Sequence, residues 1–219
     1  MKKVLTLAVA AALTSGAAMT HAYEAGDWIL RAGVATVAPD ADSDSIPELG
    51  GVTVDVDDDT QLSIIPVYMA TESWGIELLA ATPFEHNIDV NEAPISAGST
   101  KHLPPTLTVQ WYPRGGSTGW QPYVGVGVNY TIFFDEEVDR DLEEIVGRAD
   151  LDLDDSFGLS ASAGVDIPFG DNWNFNAGIW YIDIDTTATV TLREDDNAKV
   201  KFDVDIDPWV YNIGIAYKF

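Results

Sequence analysis

Trp209-Val-Tyr-Asn-Ile-Gly-Ile-Ala-Tyr-Lys-Phe219 alternates between large apolar residues and smaller or polar ones. The even positions of this segment are held by Val210, Asn212, Gly214, Ala216 and Lys218. Successive side chains of a β-strand point to opposite faces, so one face of this strand meets an apolar medium and the other a mixed interior. A strand of a membrane barrel needs this pattern, with aromatic residues near the membrane interfaces.

The beginning of the chain has the pattern of a secretory signal peptide. Two lysines precede the apolar stretch 4–13, which is too short to span a bilayer as a helix, and small residues lead to a cleavage site after Ala22. We therefore expect residues 1–22 to be a signal peptide and residues 23–219 to form one outer-membrane β-barrel. A buried N-terminal helix is the alternative interpretation.

The composition excludes several classes of function. The chain carries 36 acidic and 11 basic residues for a net charge of −25, and such a field repels the phosphates of nucleic acids. Cysteine is absent, which excludes a disulfide scaffold and thiol chemistry. No segment after the leader approaches the roughly 18 consecutive apolar residues of a transmembrane helix, so the closed barrel is the remaining way to span a bilayer.

Eight segments show period-two alternation and are the expected strands: 28–37, 61–69, 74–84, 103–112, 122–134, 157–167, 173–191 and 199–219. Three connections are short and rich in turn formers, whereas 38–60, 85–102, 135–156 and 192–198 are mostly longer and more acidic. Outer-membrane barrels have short periplasmic turns and longer extracellular loops. The sequence therefore predicts an all-β fold, an eight-stranded antiparallel transmembrane β-barrel with short periplasmic turns and long acidic extracellular loops.

The alternation also assigns the two faces of the barrel. In segment 122–134, five bulky residues from Val124 to Ile132 lie opposite a face that carries Gly125, Gly127 and Asn129, so small and polar residues face the lumen. The outward face turns acidic at Asp183 and Asp207, and a carboxylate facing hydrocarbon is costly, so the membrane should end there. Inward residues near and above this edge form an apolar upper lumen, where we predict ligand contacts from Phe133, Trp180, Ile182, Ile184, Val204 and Ile206.

Charged residues with inward parity occur near the periplasmic ends of the strands and should form the floor of the lumen: Arg31, Glu77, Asp166 and Lys218. Both signs are present, so charge pairing could close the floor. Simple filling of a narrow interior is the alternative. In either case we do not expect a wide, continuous water pore.

Four prolines fall in or beside the second, third and fourth segments: Pro66, Pro83, Pro104 and Pro105. Each removes a donor from the strand ladder. We predict a lateral gate at these prolines, through which a hydrophobic solute leaves the lumen for the outer leaflet. The alternative is that they only end strands or mark bulges.

Several blocks in this sequence resemble the outer membrane protein W (OmpW) family, and they occur in order along the chain: Leu78-Leu-Ala-Ala-Thr-Pro-Phe84, His102-Leu-Pro-Pro-Thr-Leu107, Pro122-Tyr-Val-Gly-Val-Gly-Val-Asn-Tyr-Thr131, Trp180-Tyr-Ile-Asp-Ile-Asp-Thr-Thr-Ala188 and Asp207-Pro-Trp209. The resemblance implies an eight-stranded barrel in the outer membrane of a Gram-negative bacterium, with a hydrophobic upper lumen that admits small hydrophobic molecules. It also implies links to stress responses and to recognition by external agents. The heavily acidic loops depart from the family pattern.

The histidines and the acidic runs are the candidates for enzymatic and metal chemistry. His86 and His102 lie near loop ends, where a solvated histidine is the ordinary case, and no nucleophile motif accompanies them. We predict that the protein is not an enzyme; an outer-membrane acyltransferase is the rival. The acidic runs 55–59 and 150–155 offer oxygen ligands for Ca²⁺, but a solvated loop surface explains them as well, so no metal or cofactor is predicted.

Segment 139–147 holds Leu142, Ile145 and Val146 at helical spacing. It predicts a short helix in the third long loop, with an apolar side that could cover the lumen mouth as a lid.

These features favour a narrow channel that binds small hydrophobic molecules and takes them up, with sideways exit into the bilayer. The alternatives are a surface or structural barrel that acts as a receptor or stress-related envelope protein, and a narrow ion channel. Expected partners are outer-membrane lipids, small hydrophobic solutes and, through the terminal Phe219, the outer-membrane assembly machinery.

Overall fold

The computed structural model describes residues 22–43, 53–91, 95–194 and 196–219. Apart from Ala22, the expected signal peptide lies outside these residues and stays a prediction. Parts of the acidic loops 38–60, 85–102 and 192–198 also lie outside them.

Eight antiparallel strands close into a barrel, with all strands numbered in chain order. Around the barrel they are β1 (Trp28–Ala38), β4 (Asp59–Met69), β5 (Trp74–Ala81), β8 (Thr106–Trp111), β9 (Gln121–Val138), β11 (Ser156–Pro168), β12 (Trp173–Ile182) and β15 (Trp209–Lys218). β15 pairs with β1, with Gly214 opposite Gly33, and this pairing closes the ring. The predicted eight-stranded antiparallel barrel is confirmed.

The other strands extend the extracellular end of the barrel as two sheets, which we call the rim. One sheet joins the upper part of β9 to β7 (Ser96–Leu103), β6 (Phe84–Val90) and β3 (Val54–Val56). The other has the order β10 (Ala149–Leu153), β13 (Asp185–Leu192), β14 (Ala198–Asp205) and β2 (Asp42–Ser43). The predicted helix of the third long loop is confirmed as α1 (Arg140–Val146).

Four of the predicted strands are not continuous. β5 ends at Ala81 and β6 begins at Phe84, with Pro83 between them, while Pro104 and Pro105 separate β7 from β8. Proline has no N–H to donate, so each ladder stops there. Segment 173–191 breaks at Asp183, and segment 199–219 breaks at Asp207. The φ of Asp207 is 36°. The expectation of unbroken strands, and of a loop over 85–102, is wrong at the extracellular end.

The outer face of the barrel is an apolar belt. Its side chains include Val126, Phe157 and Leu159, which are exposed by 69%, 70% and 65%. All three have the parity assigned to lipid, so the predicted faces are confirmed. Aromatic residues occur near the two ends of this belt, as interfacial girdles do in membrane barrels: Trp28, Trp74, Trp111 and Trp173 near the short turns, and Tyr130, Tyr181 and Trp209 near the rim.

The rim differs from the belt in the character of its outward face. Glu85, Asn87 and Asp89 on β6 are exposed there, and carboxylates on this face place the strand outside hydrocarbon. Within the described ranges, no helix is both long and apolar enough to cross a membrane.

Candidate functional site

A buried ion network crosses the lumen between β1, β5 and β11. The Arg31 guanidinium donates through Nη1 to Glu77 Oε2 at 2.5 Å and through Nη2 to Asp166 Oδ2 at 2.7 Å. All three side chains are fully buried. A desolvated cation held between two carboxylates is stable only when the geometry and the remaining hydrogen bonds are good.

Neighbouring polar groups supply those hydrogen bonds. Gln110 Nε2 donates to Glu77 at 2.7 Å, Tyr23 Oη donates to Asp166 at 2.9 Å, and Asn176 Nδ2 donates to Asp166 at 2.8 Å. We call Arg31, Glu77 and Asp166, together with these partners, the plug. The ring of Tyr123 lies 4.3 Å from the guanidinium carbon and covers one face of it. An apolar solute would have to displace this satisfied network to pass.

Lys218, the fourth predicted floor charge, is not part of the plug. Its Nζ lies 3.2 Å from Asp27 Oδ2 and donates to the carbonyl oxygen of Ala22 at 2.9 Å. The structure thus brings three of the four charges together and leaves Lys218 in a separate ion pair at the periplasmic end.

Above the plug, the rim encloses a cavity of about 80 Å³, which we call the upper cavity. Three of the six predicted ligand contacts line it: Phe133, Val204 and Ile206. The other three, Trp180, Ile182 and Ile184, are fully buried in the apolar cluster beneath it. Trp180 Nε1 donates to Glu77 Oε1 at 3.1 Å, so this indole joins the cluster to the plug.

Two histidines of this cavity contradict the expectation of solvated loop residues. His86 and His102, expected to be solvated near loop ends, are only 3% and 2% exposed and line the upper cavity. Their Nε2 atoms are 3.1 Å apart, and His86 Nδ1 lies 2.5 Å from the carbonyl oxygen of Asp57. The missed signal is parity, because in β6 His86 shares a face with Phe84, which is also buried.

Burial governs the protonation of both rings. Desolvation lowers the pKa of His86 from its ordinary value. Desolvation, reinforced by the adjacent His86, lowers the pKa of His102 from 6.5 to about 3. Both histidines lie in the rim, and His102 is neutral at physiological pH.

A second cavity, which we call the wall cavity, lies where the barrel strands separate. The β5–β8 ladder ends at the pair Leu79–Thr106, and the β6–β7 ladder starts at Phe84–His102. The gap opens onto a cavity of about 260 Å³ lined only by apolar residues: Ala35, Val37, Leu79, Ala80, Ala81, Phe84, Leu103, Pro104, Pro105, Ile132 and Val210. Its lining extends from buried lumen residues to the exposed Pro105 and to Ile132, which is 40% exposed.

The four predicted gate prolines do not lie together. Pro104 and Pro105 line the wall cavity, and Pro83 lies in the break between β5 and β6. Pro66 lies within β4, opposite Leu30 of β1, and lines a surface groove with Trp28 and Phe219 instead. The structure therefore separates Pro66 from the opening.

The carboxylates most suited to a cation are not those of the two acidic runs. In the part of the chain that the structure describes, oxygen atoms of Asp183, Asp185 and Asp207 lie within 4.8 Å of one another. Tyr181 Oη and the Ile184 N–H donate to Asp207, at 2.8 and 3.1 Å, so two oxygens of this group already have partners.

Comparison with known proteins identifies the fold and its relatives. Residues 24–219 match the model of the OmpW family. Outer membrane protein W of Vibrio cholerae is 43% identical over 97% of this chain and 97% of its own length. The crystal structure of the outer membrane protein OprG from Pseudomonas aeruginosa has a TM-score of 0.84 and 42% identity, and covers 92% of this chain and 99% of that one. A more distant relative from Pseudomonas aeruginosa, the dibenzothiophene metabolism operon protein PahQ, is 26% identical over 90% of each chain.

Proposed function

The chain belongs to the OmpW family of outer-membrane barrels, and from this premise we propose that it takes up small hydrophobic molecules through the upper lumen and releases them sideways into the outer leaflet. The observation that carries the proposal is the wall cavity, whose apolar lining runs from the lumen to the lipid-facing surface above a closed plug.

Capture takes place at the rim. The upper cavity offers apolar contacts from Phe133, Val204 and Ile206. Leu142 of α1 also lines it, so this helix serves as a lid that shields a bound solute from water. Transfer of apolar surface from water into such a cavity is favourable in proportion to the area removed from water.

Onward movement through the barrel axis is opposed by the plug. Removing one partner of a buried ion pair leaves an uncompensated charge, which costs about 3–5 kcal/mol. A hydrophobic solute offers the plug no hydrogen bond in return. Passage through the apolar wall cavity at Pro104 and Pro105 costs less free energy than passage through the plug. Entry into the lipid outside is favourable for such a solute, because it stays in an apolar environment.

The name of one relative is consistent with this substrate class. PahQ is named for a dibenzothiophene metabolism operon, and dibenzothiophene is a small hydrophobic aromatic compound. We extend only that broad class to this chain.

Uptake of radiolabelled n-octane by cells that lack or carry the protein tests the proposal. Ile206→Asp places a carboxylate in the upper cavity and should reduce uptake toward that of cells lacking the protein. Ile145→Asp is the matched control, because Ile145 is 64% exposed on α1 and should leave uptake unchanged. Equal uptake in cells with and without the protein would favour a surface or receptor barrel.

Two further assignments accompany this proposal. The protein works without catalysis, and transfer of an acyl chain to lipid A by the purified barrel would contradict this. Phe219, 69% exposed at the periplasmic end, is the contact for the outer-membrane assembly machinery. Deletion of Phe219 should reduce the folded barrel in the membrane, whereas Phe169→Ala, at another exposed periplasmic aromatic, should not.

A further inference from the structure

The hydrogen bonds of the two cavity histidines fix their tautomers. A carbonyl oxygen only accepts, so the contact with Asp57 requires a proton on His86 Nδ1. The neutral His86 ring then presents Nε2 as an acceptor, and His102 must donate its Nε2 proton to it. His102 therefore keeps its proton on Nε2 and has an unprotonated Nδ1.

This remaining nitrogen has no partner. His102 Nδ1 is buried and makes no hydrogen bond in the structure. A neutral imidazole nitrogen without a proton is an acceptor, and a buried acceptor left unpaired loses the hydrogen bond it would make to water. The ring is held in place by Phe84 and Phe133, whose centroids lie 5.6 and 5.8 Å from it.

We propose that the upper cavity binds an alkyl chain bearing one hydrogen-bond donor, such as a primary alcohol, and that His102 Nδ1 accepts a hydrogen bond from that donor. This inference rests on the proposed uptake function and names its ligand class. A bound hydroxyl would satisfy the unpaired nitrogen while its chain contacts the apolar lining.

The rest of the cavity offers few polar groups. The protons of the two threonine hydroxyls in the lining are committed, because Thr186 Oγ1 donates to the carbonyl oxygen of Asp154 at 2.6 Å and Thr100 Oγ1 to that of Lys101 at 3.4 Å. Most of the remaining lining is aliphatic or aromatic.

Two isomers separate the hydrogen bond from the apolar contacts. Hexan-1-ol and 1-methoxypentane have the same formula and nearly the same length, but only the alcohol has a donor. Each is titrated into the full folded barrel in lipid nanodiscs, and its affinity is referred to the free aqueous concentration. We expect the alcohol to bind about tenfold more tightly, and only the alcohol to shift the ¹⁵N resonance of His102 Nδ1.

His102→Phe should make the affinities for the alcohol and the ether about equal, while the ether still binds. Thr186→Val, the matched control, removes a hydroxyl of the same cavity whose proton is bonded to Asp154 and should keep the preference. Equal binding of both isomers to the unmodified protein, or an unchanged ¹⁵N resonance, would overturn the ligand class and leave uptake intact. If neither isomer binds but cells still take up n-octane, the inference fails alone; if uptake is also absent, both fail.

Discussion

His102 combines a basic ring with an apolar environment, and this combination determines its response to pH. Burial lowers its pKa from 6.5 to about 3, so the folded protein resists a proton that the unfolded chain binds near pH 6.5. The contribution of this ring to stability is therefore complete above pH 6.5 and is lost as the pH falls from 6.5 toward 3.

The ring signals of His102 in an NMR titration should consequently stay constant between pH 5 and 8. The same spectra of the unfolded chain in urea, where the ring is solvated, provide the control and should titrate near pH 6.5. A midpoint near 6.5 in the folded barrel would show that the ring is solvated, contrary to the structure.

Phe84 lies between the two cavities. It lines the wall cavity and packs against His86 and His102, which line the upper cavity. Phe84→Ala should join the cavities and raise the uptake rate of n-octane severalfold, at a cost in stability of about 3–5 kcal/mol. Phe133→Ala is the control, because it enlarges the upper cavity without joining it to the other. Equal effects of the two variants on uptake would exclude a separating role for Phe84.

Period-two alternation predicted the inward positions of single residues well. It placed Arg31, Glu77 and Asp166 in the lumen, and the structure joins all three in one network. It gave no distance along the barrel, so the separate position of Lys218 could not be foreseen. His86 and His102 were missed because the segment around them was read as a loop, where parity has no meaning.

The wall cavity opens where two pairs of strands are interrupted by proline. Proline interrupts the β5–β6 and β7–β8 paths at the same height, and the two ladders on either side leave a gap. If solutes leave there, a covalent bridge across the gap should block them. The chain has no native cysteine, so an introduced pair is free of competing thiols.

The pair Thr82→Cys with Pro105→Cys, joined by oxidation or by a short bismaleimide, should abolish n-octane uptake, and reduction of the disulfide should restore it. The control pair Leu78→Cys with Leu107→Cys links directly opposed residues of β5 and β8 below the gap, and should leave uptake unchanged. Full uptake through the bridged gap would exclude the lateral route.

Strand number and order followed from the sequence, whereas strand ends did not. The apolar belt imposes strict alternation on each lipid-facing stretch, which is why eight strands could be counted. In β7, Ser99 and Lys101 are polar and half-buried, while the buried face carries Gly98 and Thr100 instead of large apolar residues. A register shift between Ser99 and Lys101 also interrupts the pairing with β9, so the alternation of β7 is obscured. The alternation of inward and outward residues continues through Asp183 and Asp207. It therefore gives no sign of the breaks there, which arise from the backbone conformation.

At the scale of the whole molecule, the plug holds the two sides of the barrel together across the lumen. Arg31→Met would leave Glu77 and Asp166 buried without a counter-charge and should lower the free energy of unfolding by about 3–5 kcal/mol. Urea unfolding of the barrel in lipid vesicles measures this change. Lys218→Met should cost less, because the pair with Asp27 is partly exposed.

The triple variant Arg31→Met, Glu77→Gln and Asp166→Asn separates charge from packing. It removes the unpaired carboxylates and should recover much of the lost stability. If Arg31→Met costs no more than Lys218→Met, the network contributes little to the closure of the barrel.

The central claim is that solute passes from the rim into lipid while the plug keeps the axis closed. Vesicles that contain the barrel in one orientation test it directly. A hydrophobic fluorescent solute is added outside, and a quencher is placed either in the bilayer or in the aqueous interior. Conductance is recorded in parallel. We expect the protein to speed quenching in the bilayer, with no added quenching in the interior and no conductance steps. Faster arrival in the aqueous interior than in the lipid, or steady conductance, would contradict the account.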